Sequence, residues 1–187
     1  MASGAGSNFE ALVLAGRTGS LQAEVVQLIV NNPGCGAQQR AQRLAINCSL
    51  LDHRQHPSRE ALDAAIVAQL EGQNIDLVVM AGWMRIVTPV LIDAYAGRLI
   101  NIHPSLLPSF KGLDAVVQAL RAGVTLAGCS VHLVSEAVDA GEILMQAAVP
   151  VLPGDDPTSL SARIQRQEHQ LLPAAVALMG ERLALQG

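Results

Sequence analysis

Short β-branched runs alternate with helical segments along nearly the whole chain, and this alternation limits the fold more than any other feature. Glu24–Val30, Ile46–Leu51, Asp76–Met80 and Leu99–Ile102 read as strands. Asp76–Met80 (DLVVM) is apolar on both faces, as a strand covered by helices on both sides must be. Between these runs lie helices at Asn8–Arg17, Ala37–Ala45 and Ser58–Gly72. In the last of these, Ser58 is the cap, and Leu62, Ile66 and Leu70 recur at helical spacing. Thr88-Pro89 opens a further helix with a cap residue and proline at the first position. Gly97 closes it, and Asp114–Ala122 is a helix ended by Gly123. Thr125–Val134 and Glu142–Val151 read as two longer strands with a short connection, which adds an antiparallel element. A final helix runs from Thr158 towards Gly180, and Pro173 is expected to kink or split it. The pattern predicts an α/β, Rossmann-like fold with a mostly parallel twisted sheet and helices on both faces. No repeat or linker divides the chain, so residues 1–187 read as a single domain.

Composition excludes several functions. The chain of 187 residues is 50% hydrophobic and 15% charged, too apolar for general disorder. Its net charge is −4 and its one lysine is Lys111, so no basic surface for nucleic acid is present. Phe9, Trp83, Tyr95 and Phe110 are the only aromatics, too few for a base-stacking platform. The apolar run Leu77–Met84 is too short to span a bilayer, and no secretory leader is evident. Cys35, Cys48 and Cys129 follow no pairing or metal-binding motif, so they read as reduced thiols of a cytoplasmic protein without a metal site.

The N-terminus reads Ser3-Gly4-Ala5-Gly6-Ser7-Asn8 and then a helix. A glycine-rich turn before a helix N-terminus suits a phosphate. A terminal tail followed by an N-cap has the same residues, and composition does not choose between them. A phosphate loop of this kind follows a buried strand, yet only Met1-Ala2 precede it. The first strand is therefore missing from the pattern, and a true start upstream of Met1 is the expectation.

Residues Leu99–Phe110 read LINIHPSLLPSF. Ligands of open α/β sheets sit beyond the carboxyl ends of the strands. Strand alternation points Asn101 and His103 to one side there. An amide donor and an imidazole suit a carbonyl that becomes an oxyanion while a proton moves. A polar strand end with His103 as a cap fits the same residues. Asp139 is by itself an ordinary turn residue, and it gains interest as a partner that would orient His103. Trp83 and Met84 fit either the core or a flat apolar ligand. Gln165 and Glu168 share one helix face, which is ordinarily a solvated one.

Taken together, SGAGSN, SREA, AGWMRI, NIHPSLLPSF, VDAG and RIQRQEH closely resemble the folate-dependent glycinamide ribonucleotide formyltransferases, in that family's order and over essentially the whole chain. The resemblance implies transfer of a formyl group from 10-formyltetrahydrofolate to the amine of glycinamide ribonucleotide, in purine biosynthesis. It implies that Asn101, His103 and Asp139 are catalytic, with His132 behind them. It places the ribonucleotide on Gly6, Ser7, Asn8, Gln165 and Glu168. It places the folate on Arg59, Met84, Arg85, Ile86, Val87, Ser135, Glu136, Ala137 and Val138. No metal is implied, the partners are small molecules rather than nucleic acid or membrane, and monomer and homodimer both remain open. Formyltetrahydrofolate deformylases share the trio but carry an additional N-terminal domain, and methionyl-tRNA formyltransferases are longer. A silent binding protein that has lost its first strand is the remaining alternative.

Overall fold

The computed structural model describes residues 1–185. Two sheets form, with helices against them. The first pairs β1 (Gln27–Val30) with β2 (Asn47–Leu50) in parallel. The second has the order β3 (Val78–Met80), β4 (Leu99–His103), β5 (Leu126–Leu133) and β6 (Ile143–Pro150). β3 and β4 are parallel, whereas β4–β5 and β5–β6 are antiparallel. The antiparallel element thus reaches one strand further back than the sequence pattern suggests. Strand–helix alternation stops after α5 (Ala115–Ala122), and the short connection into β5 reverses the chain beside β4.

Helices cover both faces of the larger sheet. β4 shows this in two neighbouring residues: Leu99 packs with α3 (Arg59–Glu71) and α4 (Pro89–Ala94), while Ile100 packs towards α5 and α6 (Pro157–Ala184). Both side chains are fully buried, which explains why two adjacent positions of this strand are apolar. α1 (Ser7–Arg17) divides its apolar face, sending Leu12 to the large cluster and Phe9 and Val13 towards β1 and α2 (Gly36–Arg43). α3 starts where the sequence places it, with Ser58 Oγ accepting from the Ala61 amide at 3.1 Å. α6 runs unbroken from Pro157 to Ala184, so Pro173 does not split it. Leu171, Leu172, Ala175 and Val176 are buried on either side of Pro173, and this packing outweighs the one lost backbone bond.

Residues 1–3 run between β1 and β3. The Met1 nitrogen donates to the Val79 carbonyl at 2.7 Å, and the Ala81 amide donates to the Met1 carbonyl at 2.9 Å. On the other side the Ala2 amide donates to the Ile29 carbonyl at 3.0 Å, and Ala2 bridges Val30 in parallel. This stub links β1 to β3. Towards the amino ends of those strands they part, leaving a groove of about 700 Å³ lined by residues such as Leu28, Leu70, Val79 and Val176.

Ala2 is 1% exposed, so its amide has no access to solvent as an alternative partner. Ala2→Pro removes that donor and leaves the Ile29 carbonyl unpaired. The expected cost is about 1–3 kcal/mol, read as a fall of several degrees in the thermal midpoint. An unchanged midpoint would show that the stub does not hold the sheets together.

Candidate functional site

β4 ends between β3 and β5, and its register sets Asn101 opposite His132 and His103 opposite Ser130. The β5–β6 connection then carries Asp139 back over this end. Gly141 makes the approach possible: a Cβ there would lie 1.8 Å from the Leu133 carbonyl oxygen. Asp139 itself takes a left-handed conformation, with φ 48°.

Around Asp139 the groups converge. Its Oδ2 lies 3.3 Å from His103 Nδ1 and accepts from the Gly112 amide at 2.9 Å. Its Oδ1 lies 3.4 Å from His132 Nε2 and 3.5 Å from Asn101 Nδ2. His132 Nδ1 faces the Leu133 carbonyl at 2.8 Å and must donate to it. That fixes the ring and leaves Nε2 towards Asn101 Nδ2, 3.1 Å away. His103 Nε2 likewise donates to the Phe110 carbonyl at 2.9 Å. Both nitrogens of His103 therefore face acceptors, an arrangement that a doubly protonated ring satisfies. Burial raises the Asp139 pKa, but the hydrogen bonds from His132 and Gly112 and the two imidazoles outweigh it and hold the carboxyl below its usual range.

A cleft of about 580 Å³ opens beside this cluster, at the carboxyl ends of β3 and β4. One wall is the segment Gly82–Val87, another the Gly112–Val117 stretch, and a third carries Ser135, Glu136 and Val138. Met84, Ile86, Leu113 and Val138 are large apolar side chains left exposed around it. Asn8 and Glu168 close the far side. Asn8 Nδ2 donates to Glu168 Oε2 at 2.8 Å, while Asn8 Oδ1 is buried without a hydrogen-bond partner among the described residues. Gln165 Nε2 donates to Ser7 Oγ at 2.9 Å, tying α6 to the start of α1. Gly6 precedes that helix with φ 78°, and a Cβ on it would lie 2.7 Å from Ala37. The turn thus needs glycine on both counts.

The structure gathers most of the residues singled out in the sequence, though not all. Asn101, His103 and Asp139 meet, with Asn8, Glu168, Met84, Arg85, Ile86, Val87, Ser135, Glu136 and Val138 lining the cleft. Gly6, Ser7 and Gln165 lie beside Asn8 at the start of α1, outside the lining itself. Ala137 offers its carbonyl to Ser135 Oγ at 3.2 Å. Arg59 stands apart from the cleft, exposed as the first residue of α3. The sequence reading missed the Phe110 carbonyl and the Gly112 amide. Both act through the backbone, and the signal for them was Gly112 just after NIHPSLLPSF. Pro157 and Ser161 also line the cleft, and no local pattern marks them.

An amide, an imidazole and a carboxylate at the carboxyl edge of an open α/β sheet, beside an apolar cleft, form a candidate catalytic site. The comparisons with known proteins sharpen this. The formyl transferase family model matches residues 1–176, and the chain belongs to that family. It is 38% identical over 175 residues to the phosphoribosylglycinamide formyltransferase of Bacillus subtilis, covering 94% of this chain and 90% of that protein. It is 44% identical over 185 residues to the trifunctional purine biosynthetic protein adenosine-3 of Drosophila melanogaster, covering 98% of this chain but 14% of the relative. The chain thus spans about one-seventh of the length of that larger protein. The crystal structure of glycinamide ribonucleotide transformylase 1 from Symbiobacterium toebii superposes with a TM-score of 0.94 at 42% identity, over 96% of this chain and 85% of that one.

Glu168 offers a test of the site's electrostatics. Burial raises its pKa more than the Asn8 hydrogen bond and the nearby His103 lower it. For a carboxyl with a raised folded pKa, ionisation destabilises the fold. That penalty is complete above the folded value and vanishes below the unfolded value of about 4.3. Glu168→Gln keeps an acceptor for Asn8, so it should raise the thermal midpoint at pH 7.5 and leave it unchanged near pH 4. A lower midpoint at pH 7.5 would contradict the assigned burial cost.

Proposed function

We propose that this chain transfers the formyl group of 10-formyltetrahydrofolate to the amine of glycinamide ribonucleotide, a step of de novo purine biosynthesis. The observation that carries the reading is the convergence of Asn101, His103 and Asp139 on one cleft, in a member of the formyl transferase family. We read residues 1–187 as one domain acting on small molecules. The unpaired Cys35, Cys48 and Cys129 accord with a reducing cytoplasm.

The cleft suits both substrates. Its apolar rim of Met84, Ile86, Leu113 and Val138 matches a flat heteroaromatic donor, with Arg85, Ser135 and Glu136 for its polar edges. At the other end, Gly6, Ser7 and Asn8 present the N-terminus of α1 to the ribonucleotide's phosphate side. Asn8 Oδ1, Glu168 and Gln165 supply polar contacts for the rest of it. Arg59 faces solvent in this structure and would join the donor site only through the tail of the folate.

In the reaction the amine lone pair attacks the formyl carbon, a C–N bond forms, and the carbonyl oxygen takes the negative charge. Asn101 Nδ2 and a protonated His103 stabilise that oxyanion. In a dry cleft such fixed donors act more strongly than in water. Asp139 keeps His103 protonated and helps to carry the amine proton, through water, to the folate nitrogen as the second C–N bond breaks. Formyl and proton change places between two amines, so atoms balance without a further reactant.

His103→Ala and Asp139→Ala should each lower turnover by about 10²–10⁴-fold and change ribonucleotide KM much less. The assay is formation of the deformylated folate with and without glycinamide ribonucleotide. Turnover that needs no ribonucleotide would favour a hydrolase instead. Full turnover in Asp139→Ala would remove Asp139 from the mechanism.

A further inference from the structure

Asp63 is a buried carboxylate that the mechanism does not use. It sits on α3 and is 2% exposed. Its Oδ2 accepts from the Thr88 amide at 2.5 Å and from Thr88 Oγ1 at 2.8 Å. Thr88 is the N-cap of α4, with the extended backbone of a capping residue. Its hydroxyl nevertheless makes no cap bond to α4 and goes to Asp63 instead. A helix cap contributes about 1 kcal/mol, and here it is given up for a link between α3 and the residue that ends the cleft wall. Burial raises the Asp63 pKa against the two Thr88 bonds, so an ionised group is not there for its own sake.

The segment between β3 and Thr88 has no helix or strand, yet Gly82, Trp83, Met84, Arg85, Ile86 and Val87 all line the cleft. Its front end is fixed by Ser3, whose amide donates to the Gly82 carbonyl at 2.9 Å and whose Oγ accepts from the Met84 amide at 2.8 Å. Its rear end is fixed by Asp63 through Thr88. Trp83 and Val87 are buried between the two fixed ends, while Met84 and Ile86 are presented outward.

We infer that Asp63 is a positioning residue: through Thr88 it holds the 82–87 segment in the shape that receives the formyl donor. The inference rests on the donor site proposed above, but the order of the segment can be read without any ligand. Trp83 is the only tryptophan and is 5% exposed, so acrylamide quenching of its fluorescence reports that order directly.

The experiment compares the full chain with Asp63→Ala, Asp63→Asn, Thr88→Val and Thr88→Ser. Asp63→Ala strands two donors and should increase quenching. By loosening the donor wall it should also raise donor KM about tenfold, with ribonucleotide KM moving less than about twofold. Thr88→Ser and Asp63→Asn keep the acceptor and donors in place and should stay close to the wild type. Thr88→Val loses only the hydroxyl bond and should fall between, and it answers the same question if Asp63→Ala does not fold. Unchanged quenching in Asp63→Ala and Thr88→Val, or a parallel rise in both KM values, would overturn the inference. Absence of turnover in the wild type would refute the function proposed above, and the quenching comparison would still decide the role of Asp63.

Discussion

The backbone hydrogen bonds of residues 1–3 are the constraint on which the rest of the molecule depends. β1 belongs to one sheet and β3 to the other, and the stub donates or accepts on both sides. Ser3 then extends the same link past the strand ends, to the Gly82 carbonyl and the Met84 amide. The turn at Gly6 follows at once and starts α1. One short stretch therefore sets the spacing of the sheets, the start of the helix that carries Asn8, and the front of the opposite cleft wall. The stub is paired at the carboxyl ends of β1 and β3, beside the cleft, while the groove lies towards their amino ends. Imperfect closure of the sheet is thus confined to the end away from His103 and Asp139.

The cluster at the other end owes its geometry to antiparallel pairing. Register between β4 and β5 places Asn101 against His132, and the short return to β6 hangs Asp139 above both. Four groups then face the two oxygens of one carboxylate: the His103 and His132 rings, the Asn101 amide and the Gly112 backbone. Such a carboxylate is stabilised in its ionised form despite burial, and it orients each of its donors in return. Positive φ at Phe110, Gly112 and Asp139 lets the backbone turn into this space. Phe110 and Asp139 are not glycines, so both backbones carry a conformational cost that the surrounding bonds must offset.

Much of this was legible in the sequence because it is local. Ser58 as a cap, the DLVVM strand and the closing Gly123 each follow from a few adjacent residues. The shared direction of Asn101 and His103 follows from strand period alone. Antiparallel entry of β5 beside β4 was less legible, because the length and sense of a connection say little about which edge a strand joins. Of the two outcomes expected at Pro173, a kink or a split, the split does not occur for a related reason: the lost bond is local, while the packing of Leu172 and Val176 is tertiary. Arg59 shows a separation of another kind. It belongs to a matching sequence piece, yet at the first position of α3 it faces solvent. Asp63 gave no signal at all, since a carboxylate at an apolar helix position is recognisable only once Thr88 is seen against it.

Three carboxylates in and behind one cleft, the half-buried Asp139 and the buried Glu168 and Asp63, meet different fates. Asp139 is surrounded by donors and two imidazoles, and its pKa falls. Glu168 has Asn8 as its one hydrogen-bonding side chain among the described residues, so burial prevails and its pKa rises. Asp63 receives two bonds from one residue and still sits above its ordinary range, because burial outweighs them. The ordering follows from donors and depth together, since Asp139 has the most polar neighbours and is also the least buried of the three. Asp139, the carboxylate beside the His103 ring, is the one of the three whose surroundings favour ionisation.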